Sequence, residues 1–346
     1  MDSTIALFLA QDGITNGAIY ALLGLSLVLV FTVTRVIFIP QGEFVAYGAL
    51  TLVGLETGVV PGTAYLTLVL GIAAFCVDLV RTPDSRQPRV LITRAVSDLG
   101  LPLALLGVSG VVAPANMGPW VNVPLAVALV APMGAYIYRL AFRPLAQATV
   151  LTLLIAAVGV HLVMLGLGLV FFGAEGYRAT PFTDVNLSLG VMDLGGQSLW
   201  VLGVTAVLIV ALWYAFGHTL AGKALRATSI NRLGATLVGI PTAQSGLIAF
   251  VLAATLGAIS GVLIAPITTI FYDSGFLIGL KGFVAAIIGG LVSYPISAAA
   301  AILVGLVEAF ASFEASSFKE VIVFTIIIPV LLWQSLRSGH VDEEEE

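Results

Sequence analysis

A few polar side chains interrupt the long apolar runs of this sequence, and two of them, Glu43 and Glu308, are carboxylic acids. An ionisable group inside an apolar helix is costly, so by default it is a candidate for lining a solute path. The alternatives are a helix N-terminal position for Glu43 and interhelical hydrogen bonding for Glu308. We interpret Glu56 and Asp78, near the ends of such runs, as solvated. The candidate path residues are Asn16, Tyr20, Gln41, Glu43, Tyr47 and Glu308.

No group of residues in the sequence has the spacing of a catalytic or metal centre. The three histidines, His161, His218 and His340, are too far apart to match a metal-ligand spacing. The one cysteine, Cys76, lies in an apolar run, which excludes a disulfide framework and a cysteine-based metal site. We interpret His161 as a neutral imidazole that bonds a neighbouring helix. The sequence therefore predicts a chain that is not an enzyme and holds no metal or cofactor of its own.

A stretch at 217–223 has the spacing G-x-x-x-x-G-K of a phosphate-binding loop. Such a loop also needs Ser or Thr as its next residue, to bind magnesium, and a β-strand before it. Here Ala224 comes next, and a long apolar segment precedes the stretch. We therefore reject nucleotide binding by this chain.

The overall composition indicates which elements must position these residues. Hydrophobic residues make up 59% of the 346 residues and charged residues 10%, and the mean hydropathy is +1.10. A soluble domain carries about 25% charged residues, so lipid must be the solvent for most of this chain. We predict an all-α fold, a polytopic transmembrane helical bundle that forms a single domain over residues 1–346. Three glycine pairs have the small-xxx-small spacing of closely packed membrane helices: Gly13/Gly17, Gly54/Gly58 and Gly257/Gly261.

Apolar runs long enough to cross a bilayer, about 20 residues each, recur along the whole sequence. The run at 283–313 is too long for one span, and Gly289, Gly290, Ser293 and Pro295 are typical helix-breaking residues. We therefore divide it into two helices that turn near 293–295, which gives about eleven crossings within a range of about 9–11. The predicted spans lie near 14–34, 44–60, 62–80, 99–116, 120–138, 149–172, 198–216, 244–266, 283–313 and 321–335.

The basic residues are distributed unevenly between alternate loops. With the N-terminus outside and the C-terminus cytoplasmic, 11 of the 14 Lys and Arg residues fall on the cytoplasmic side, where membrane proteins hold an excess of them. Only Arg178, Lys281 and Lys319 then fall outside. The predicted cytoplasmic segments are the divergent loop 81–98, the loop 217–241 and the acidic tail 338–346, and the loop 174–197 is external.

The segment 217–241 is the longest predicted cytoplasmic loop and has a helical pattern of apolar residues interleaved with cations. One interpretation is a short amphipathic helix that another protein packs against, with Gly222 and Ala227 leaving room for a partner side chain. The alternative is an ordinary positively charged loop, which explains the cations but not the small residues among them. The residues alone favour neither interpretation.

Five stretches of the sequence form a recognisable series. They are, in order, GITNGAIYALLGL at 13–25, TRVI with GEF at 34–37 and 42–44, FRPL at 142–145, the segment 222–240, and IIGGLVSYP at 287–295. Together they resemble the branched-chain amino-acid ABC transporter permease family. The similarity covers roughly residues 10–72 and 139–335.

The resemblance implies a membrane subunit of an ATP-driven importer in the lipid bilayer of a bacterial plasma (inner) membrane. The implied partners are a second permease subunit, homologous or identical, two cytoplasmic ATPase subunits that use the ATP, and an extracytoplasmic solute-binding protein; nucleic acid is not among them. The resemblance also makes 217–241 the loop on which the ATPase subunits dock. The predicted coupling residues are Gly222, Lys223, Arg226, Ala227, Asn231, Arg232 and Gly239.

The sequence departs from the family pattern in three places. FIPQGEF at 38–44 stands where the family usually has N-F-A-H-G-E-F, which removes an Asn and a His beside Glu43. LRSGHV at 336–341 replaces the usual R-P-x-G ending, and residues 73–125 do not align with the family.

The predicted substrate is a small polar solute, first a branched-chain or related amino acid and second urea or a short amide. A stand-alone secondary transporter or channel is an alternative, but it would need coupling ions or a charged relay, and the acids within the spans are few. An intramembrane enzyme would need a catalytic cluster within the spans, and the sequence shows none.

Overall fold

The computed structural model describes residues 3–81, 88–183, 185, 187–189 and 192–337. The predicted acidic tail 338–346 and part of the predicted divergent loop, 82–87, lie outside the described residues. The elements are, in chain order, α1 (Ser3–Thr34), α2 (Gln41–Glu56), α3 (Gly62–Arg81), α4 (Pro88–Ala95), α5 (Leu101–Ala115), α6 (Pro119–Ile137), α7 (Val150–Phe172), the short hairpin of β1 (Leu187–Leu189) and β2 (Met192–Leu194), α8 (Gly196–His218), α9 (Leu220–Ile230), α10 (Arg232–Leu237), α11 (Thr242–Ile264), α12 (Ser274–Ile288), α13 (Tyr294–Glu314), α14 (Lys319–Thr325) and α15 (Ile327–Arg337). Two π-helical turns, Val96–Gly100 and Tyr138–Phe142, follow α4 and α6.

Nine helical segments of the described chain are long and apolar enough to cross a membrane. They are α1, α3, α7, α8, α11, α13 and three segments that join consecutive elements, Leu91–Ala115, Pro119–Leu145 and Ser316–Trp333. Two further helices are shorter, α2 with 16 residues and α12 with 15. The predicted polytopic helical bundle is therefore confirmed, and two of its predicted spans correspond to helices that are too short to cross a bilayer alone.

The divergent loop predicted at 81–98 is largely helical where it is described. Residues 88–98 form α4 and the first π-helical turn, and they continue into α5, so that this span begins at Leu91 instead of 99. Two charged residues of this segment, Arg94 and Asp98, belong to one cluster of ion pairs. Pairing removes the reason for these side chains to face water.

The predicted break in the long run at 283–313 is confirmed. α12 ends at Ile288, α13 begins at Tyr294, and Gly290 between them has φ +66°, a conformation that glycine adopts without strain. The first helix of the run starts earlier than predicted, because α12 begins at Ser274 and contains Lys281, a charge that the sequence analysis assigned to a loop.

α1 is the central helix of the bundle and packs against α11, α12 and α13. Gly13 and Gly17 lie against α13, where a Cβ on either would approach a backbone Cα to 2.7 Å. Gly257 and Gly261 bring α11 equally close to α2. The close packing predicted for these two glycine pairs is therefore confirmed, whereas the prediction for Gly54/Gly58 is wrong, because Gly58 lies beyond the end of α2 and Gly54 meets only the following loop.

α2 begins inside the bundle instead of at its surface. The non-helical segment 35–40 leads inward from the end of α1, and Phe38 within it is fully buried. Gln41 at the start of α2 donates from Nε2 to the backbone oxygen of Ala253 at 2.9 Å, and Ala253 is the central residue of α11. Non-helical backbone at such depth is tolerated where protein surrounds it. The span predicted at 44–60 is thus a short helix that starts near mid-membrane.

Candidate functional site

The first charged site lies at the start of α2. Glu43 Oε1 is 3.0 Å from His161 Nδ1, and the Glu43 side chain is fully buried. His161 is the central residue of α7, so the pair lies at the same mid-membrane depth as Gln41. His161 therefore contacts a side chain of a neighbouring helix, as predicted, although neither its Nδ1 nor Glu43 Oε1 meets hydrogen-bond geometry within the described chain. Glu43 also lies in the first turn of α2, where the helix dipole stabilises a negative charge.

The same site holds hydrogen-bond acceptors that have no donor. Within the described chain, Glu43 Oε2 and Gln41 Oε1 are both buried and accept no hydrogen bond. Tyr47, one turn further along α2, donates its hydroxyl to the backbone oxygen of Met164 at 2.6 Å. Buried acceptors without donors are costly, so this site has the chemistry to take up water or another donor group.

The second charged site lies between α1, α12 and α13. Lys281 Nζ is 2.5 Å from Glu308 Oε1 and 3.2 Å from Glu320 Oε1. The Tyr20 hydroxyl donates to Glu308 Oε2 at 2.6 Å. Lys281 and Glu308 are only 5% and 9% exposed. A buried pair of this kind requires further hydrogen bonds to offset its desolvation, and Tyr20 and Glu320 supply them.

The second charged site borders a cavity of about 730 Å³. Asp12 and Asn16 of α1 add polar groups to its wall, and Phe271 and Ile278 add apolar ones. The cavity lies at the end of the bundle where α11 ends and α12 begins, opposite the end that carries α9 and α10. Positively and negatively charged side chains therefore line the same cavity, which lies near that end of the bundle.

The six predicted path residues fall into two groups. Three of them line the cavity, namely Asn16, Tyr20 and Glu308. The other three form the site at the start of α2, namely Gln41, Glu43 and Tyr47. The interhelical bonding predicted for Glu308 is present, because its carboxylate bonds α1 and α12, and the same carboxylate borders the cavity.

Lys281 is the functional candidate that the sequence analysis missed. Its assignment to an external loop is wrong, because the side chain is buried in α12. Gly282 packs against Leu23 of α1, where a Cβ would lie 2.5 Å from the Leu23 Cβ, and this contact brings Lys281 close to Tyr20. The rule that singled out Glu308, a lone charge within an apolar run, applies equally to Lys281.

A third charged site, also missed, joins α3 to the two π-helical turns. Arg139 donates from Nη1 to Asp98 at 2.7 Å and from Nη2 to Asp78 at 2.6 Å. Asp78 and Asp98 are 8% and 2% exposed. The interpretation of Asp78 as solvated is therefore wrong, because an arginine from another helix neutralises it inside the bundle.

The helical pattern predicted within 217–241 is confirmed by α9 and α10. The Thr219 side chain accepts from the Gly222 amide at 3.0 Å, and Asn231 Oδ1 accepts from the Gly234 amide at 2.8 Å, so both helices have N-terminal caps. Gly222 is buried in the turn after α8, where a Cβ would lie 2.1 Å from the Ala215 oxygen. It therefore leaves no room for a partner side chain, contrary to the interpretation from sequence.

The predicted coupling residues of α9 and α10 differ in exposure. Arg232 Nη1 donates to the backbone oxygen of Ala146 at 3.1 Å, which ties α10 to the segment after α6. Gly239 follows α10 with φ +87°, a conformation that favours glycine, and Ala227 is half-buried. The exposed residues of the two helices include Lys223, Arg226, Leu233 and Leu237.

Comparison with known proteins finds several permeases of branched-chain amino acid transport. The high-affinity branched-chain amino acid transport permease LivH of Escherichia coli K12 is 26% identical over 216 residues, which is 60% of this chain and 70% of LivH. BraD of Pseudomonas aeruginosa, a permease of the same description, is 28% identical over 209 residues, 58% of this chain and 68% of BraD. A probable LivH of Methanocaldococcus jannaschii is 26% identical over 228 residues, 62% of this chain and 72% of that protein.

No solved structure matches this chain significantly. The profile of one family, described as the permease component of the branched-chain amino acid transport system, matches residues 9–331. That family consists of transport subunits and not of enzymes, and its match agrees with a multi-pass protein of a bacterial membrane. Because the match extends over nearly the whole sequence, this chain belongs to the branched-chain amino acid transport permease family.

Proposed function

We propose that this chain is the membrane subunit of an ATP-driven importer and that its solute, a branched-chain or related amino acid, passes through the 730 Å³ cavity. The observation that carries this proposal is the triad of Tyr20, Lys281 and Glu308 on the wall of that cavity. Ionisable residues at membrane depth are rare and in transport proteins mark solute paths.

The charges of the triad suit a zwitterion. An α-amino acid brings a carboxylate, which the Lys281 ammonium can bind, and an ammonium, which Glu308 or Glu320 can bind. Each protein charge would then exchange one partner for another, so that no charge is left unpaired while the solute is bound. Apolar residues on the same wall, Phe271 and Ile278, suit an aliphatic side chain.

We place the cavity on the external side and α9 with α10 in the cytoplasm. The excess of basic residues supports this orientation. Arg139 was counted as cytoplasmic and Lys281 as external, and neither is a loop residue in the structure. Removing one basic residue from each side leaves the cytoplasmic excess in place. A soluble binding protein would then deliver the solute to the cavity directly.

The ATPase subunits would dock on α9 and α10. The exposed residues there that lie outside any described cavity lining include Lys223, Leu233 and Leu237, a mixture of a cation and apolar side chains that suits a protein partner. ATP would be bound and hydrolysed by these subunits, and a second permease, homologous or identical, would complete the pore.

The test of the path is uptake by a Lys281→Met variant in the assembled importer. We expect uptake to fall at least about tenfold, because a carboxylate entering the cavity would lose its one buried cation, a loss of more than about 1.4 kcal/mol. The matched control is Lys319→Met, since Lys319 lines the same cavity but is half-exposed. Normal uptake by the Lys281→Met variant, at a normal membrane level, would show that the cavity is not the path.

A further inference from the structure

A second cavity, of about 610 Å³, lies between α1, α8, α9 and α13. Leu25 and Leu29 of α1, Ile209 and Leu212 of α8, and Ala298 of α13 form much of its wall. The wall is almost entirely apolar. A cavity of this kind is a poor site for water, because water needs two or more polar partners.

The depth of the second cavity matches one leaflet of a bilayer. On α1 its lining extends from Val33, beside the helix end, to Leu25, and on α8 it extends from Gly217 to Ile209. Each of these stretches is about 12 Å long at 1.5 Å per residue. The hydrocarbon of one leaflet is about 15 Å deep. The cavity therefore extends from the membrane interface towards the midplane.

α8 leaves this space open to the surrounding membrane. Its buried residues are Gly196, Val201 and Thr205, all in the first half of the helix. In the second half only one face, with Leu212 and Phe216, packs against the bundle, and Trp213 and Tyr214 are largely exposed. Trp and Tyr in such positions are typical of the interface between lipid headgroups and hydrocarbon.

The interfacial end of the second cavity carries a cation. Arg226 of α9 lines it together with Ser229, and the Arg226 side chain is exposed. Within the described part of the chain, Arg226 takes part in no salt bridge. A guanidinium at this depth has the geometry to bind a phosphate through two hydrogen bonds.

We propose that this second cavity is a binding site for an anionic phospholipid. One acyl chain fills the apolar space between α1, α8 and α13, and the headgroup phosphate binds Arg226. A neutral lipid would fill the apolar space but would not pair the cation, and a helix of another subunit would pair it only with an acidic residue opposite Arg226. The proposal concerns lipid binding alone and does not depend on the identity of the transported solute.

The test uses the quenching of Trp213 fluorescence by brominated acyl chains. Trp120, Trp200 and Trp333 are replaced by Phe, which leaves Trp213 as the only tryptophan. The full chain is placed in phosphatidylcholine nanodiscs that contain a small fraction of brominated phosphatidylglycerol or of brominated phosphatidylcholine. We expect the anionic lipid to occupy the site about fivefold more than the neutral one, the preference that one cation near the surface provides.

Two variants and one control make the result specific. Arg226→Gln should remove the preference for the anionic lipid, whereas Lys223→Gln, on the same helix but outside the cavity lining, should retain it. Ala298→Phe should reduce quenching by both lipids, because the ring occupies the space of the acyl chain. A variant that keeps Trp200 in place of Trp213 should show equal quenching by the two lipids.

Three outcomes would overturn the proposal. Equal quenching of Trp213 by the two lipids would show that only surrounding lipid contacts it. A preference that survives Arg226→Gln would remove the headgroup assignment. Absence of quenching, together with a disulfide formed between two copies of a Leu212→Cys variant in a Cys76→Ala background, would assign the space to a second copy of the chain.

Discussion

Two of the buried charge clusters in this molecule are built alike and differ in their surroundings. Lys281 with Glu308 and Arg139 with Asp98 are each held at 2.5–2.7 Å and largely buried. The Lys281 cluster borders a cavity of about 730 Å³, whereas the Arg139 cluster lines neither of the two cavities described above. One cluster can therefore exchange partners with a solute, and the other is enclosed by its own helices.

The difference separates a functional charge from a structural one. An enclosed ion pair whose one partner is removed leaves an uncompensated charge with no water to solvate it. A pair beside a cavity has a replacement solvent, so its removal costs less stability and more function. Replacing the cation should therefore reduce stability more in the Arg139 cluster and function more in the Lys281 cluster.

The largest stability effect is expected for Arg139→Met. This change leaves Asp78 and Asp98 buried without their cation, and the free energy of unfolding should fall by about 3–5 kcal/mol. Thermal unfolding in detergent measures it. A variant that also carries Asp78→Asn and Asp98→Asn should recover part of the loss. An unchanged unfolding temperature for Arg139→Met alone would show that the cluster is solvated after all.

For Lys281→Met we expect a smaller stability loss, about 1–3 kcal/mol, because water in the cavity can solvate Glu308. Adding Glu308→Gln should restore stability, since neither partner is then charged, but it should not restore uptake. The measurement combines thermal unfolding with uptake in the same preparations. If Lys281→Met proves as destabilising as Arg139→Met while the double variant recovers uptake, the two clusters have the same structural role.

The smallest effect is expected for Tyr20→Phe, which removes one hydrogen bond to Glu308 and keeps the ion pair. A hydrogen bond to a charged group contributes about 1.5–3 kcal/mol, and access to water should place this one near the lower limit. Tyr65→Phe is the control, since Tyr65 is exposed on α3. Equal unfolding temperatures for the two variants would indicate that Tyr20 does not support Glu308.

The bundle, its glycine contacts and the break after α12 could be predicted from sequence because each depends on local pattern. Apolar length predicts spans, and Gly289, Gly290 and Pro295 mark a turn whatever packs around it. The family resemblance likewise rested on local motifs. These features need no knowledge of which side chains meet in space.

The charged sites could be predicted only in part, because pairing is a tertiary property. Counting cations by loop assigned Arg139 and Lys281 to solvent, and only the folded chain places each beside a carboxylate. The depth at which α2 begins follows from the contact of Gln41 with Ala253, which no local pattern contains. The prediction for Gly222 was also wrong. This small residue suggested a docking surface, but it allows a tight turn within the chain.

The most direct test of the proposed path is thiol labelling of intact cells in a Cys76→Ala background. Ser312→Cys places a thiol on the exposed wall of the 730 Å³ cavity, and Lys223→Cys places one on α9. With an impermeant maleimide we expect Ser312→Cys to be labelled, Lys223→Cys to be unlabelled, and leucine or valine to slow the labelling of Ser312→Cys in the assembled importer. Labelling of Lys223→Cys alone, or labelling of Ser312→Cys at a rate that no transported solute changes, would contradict the account.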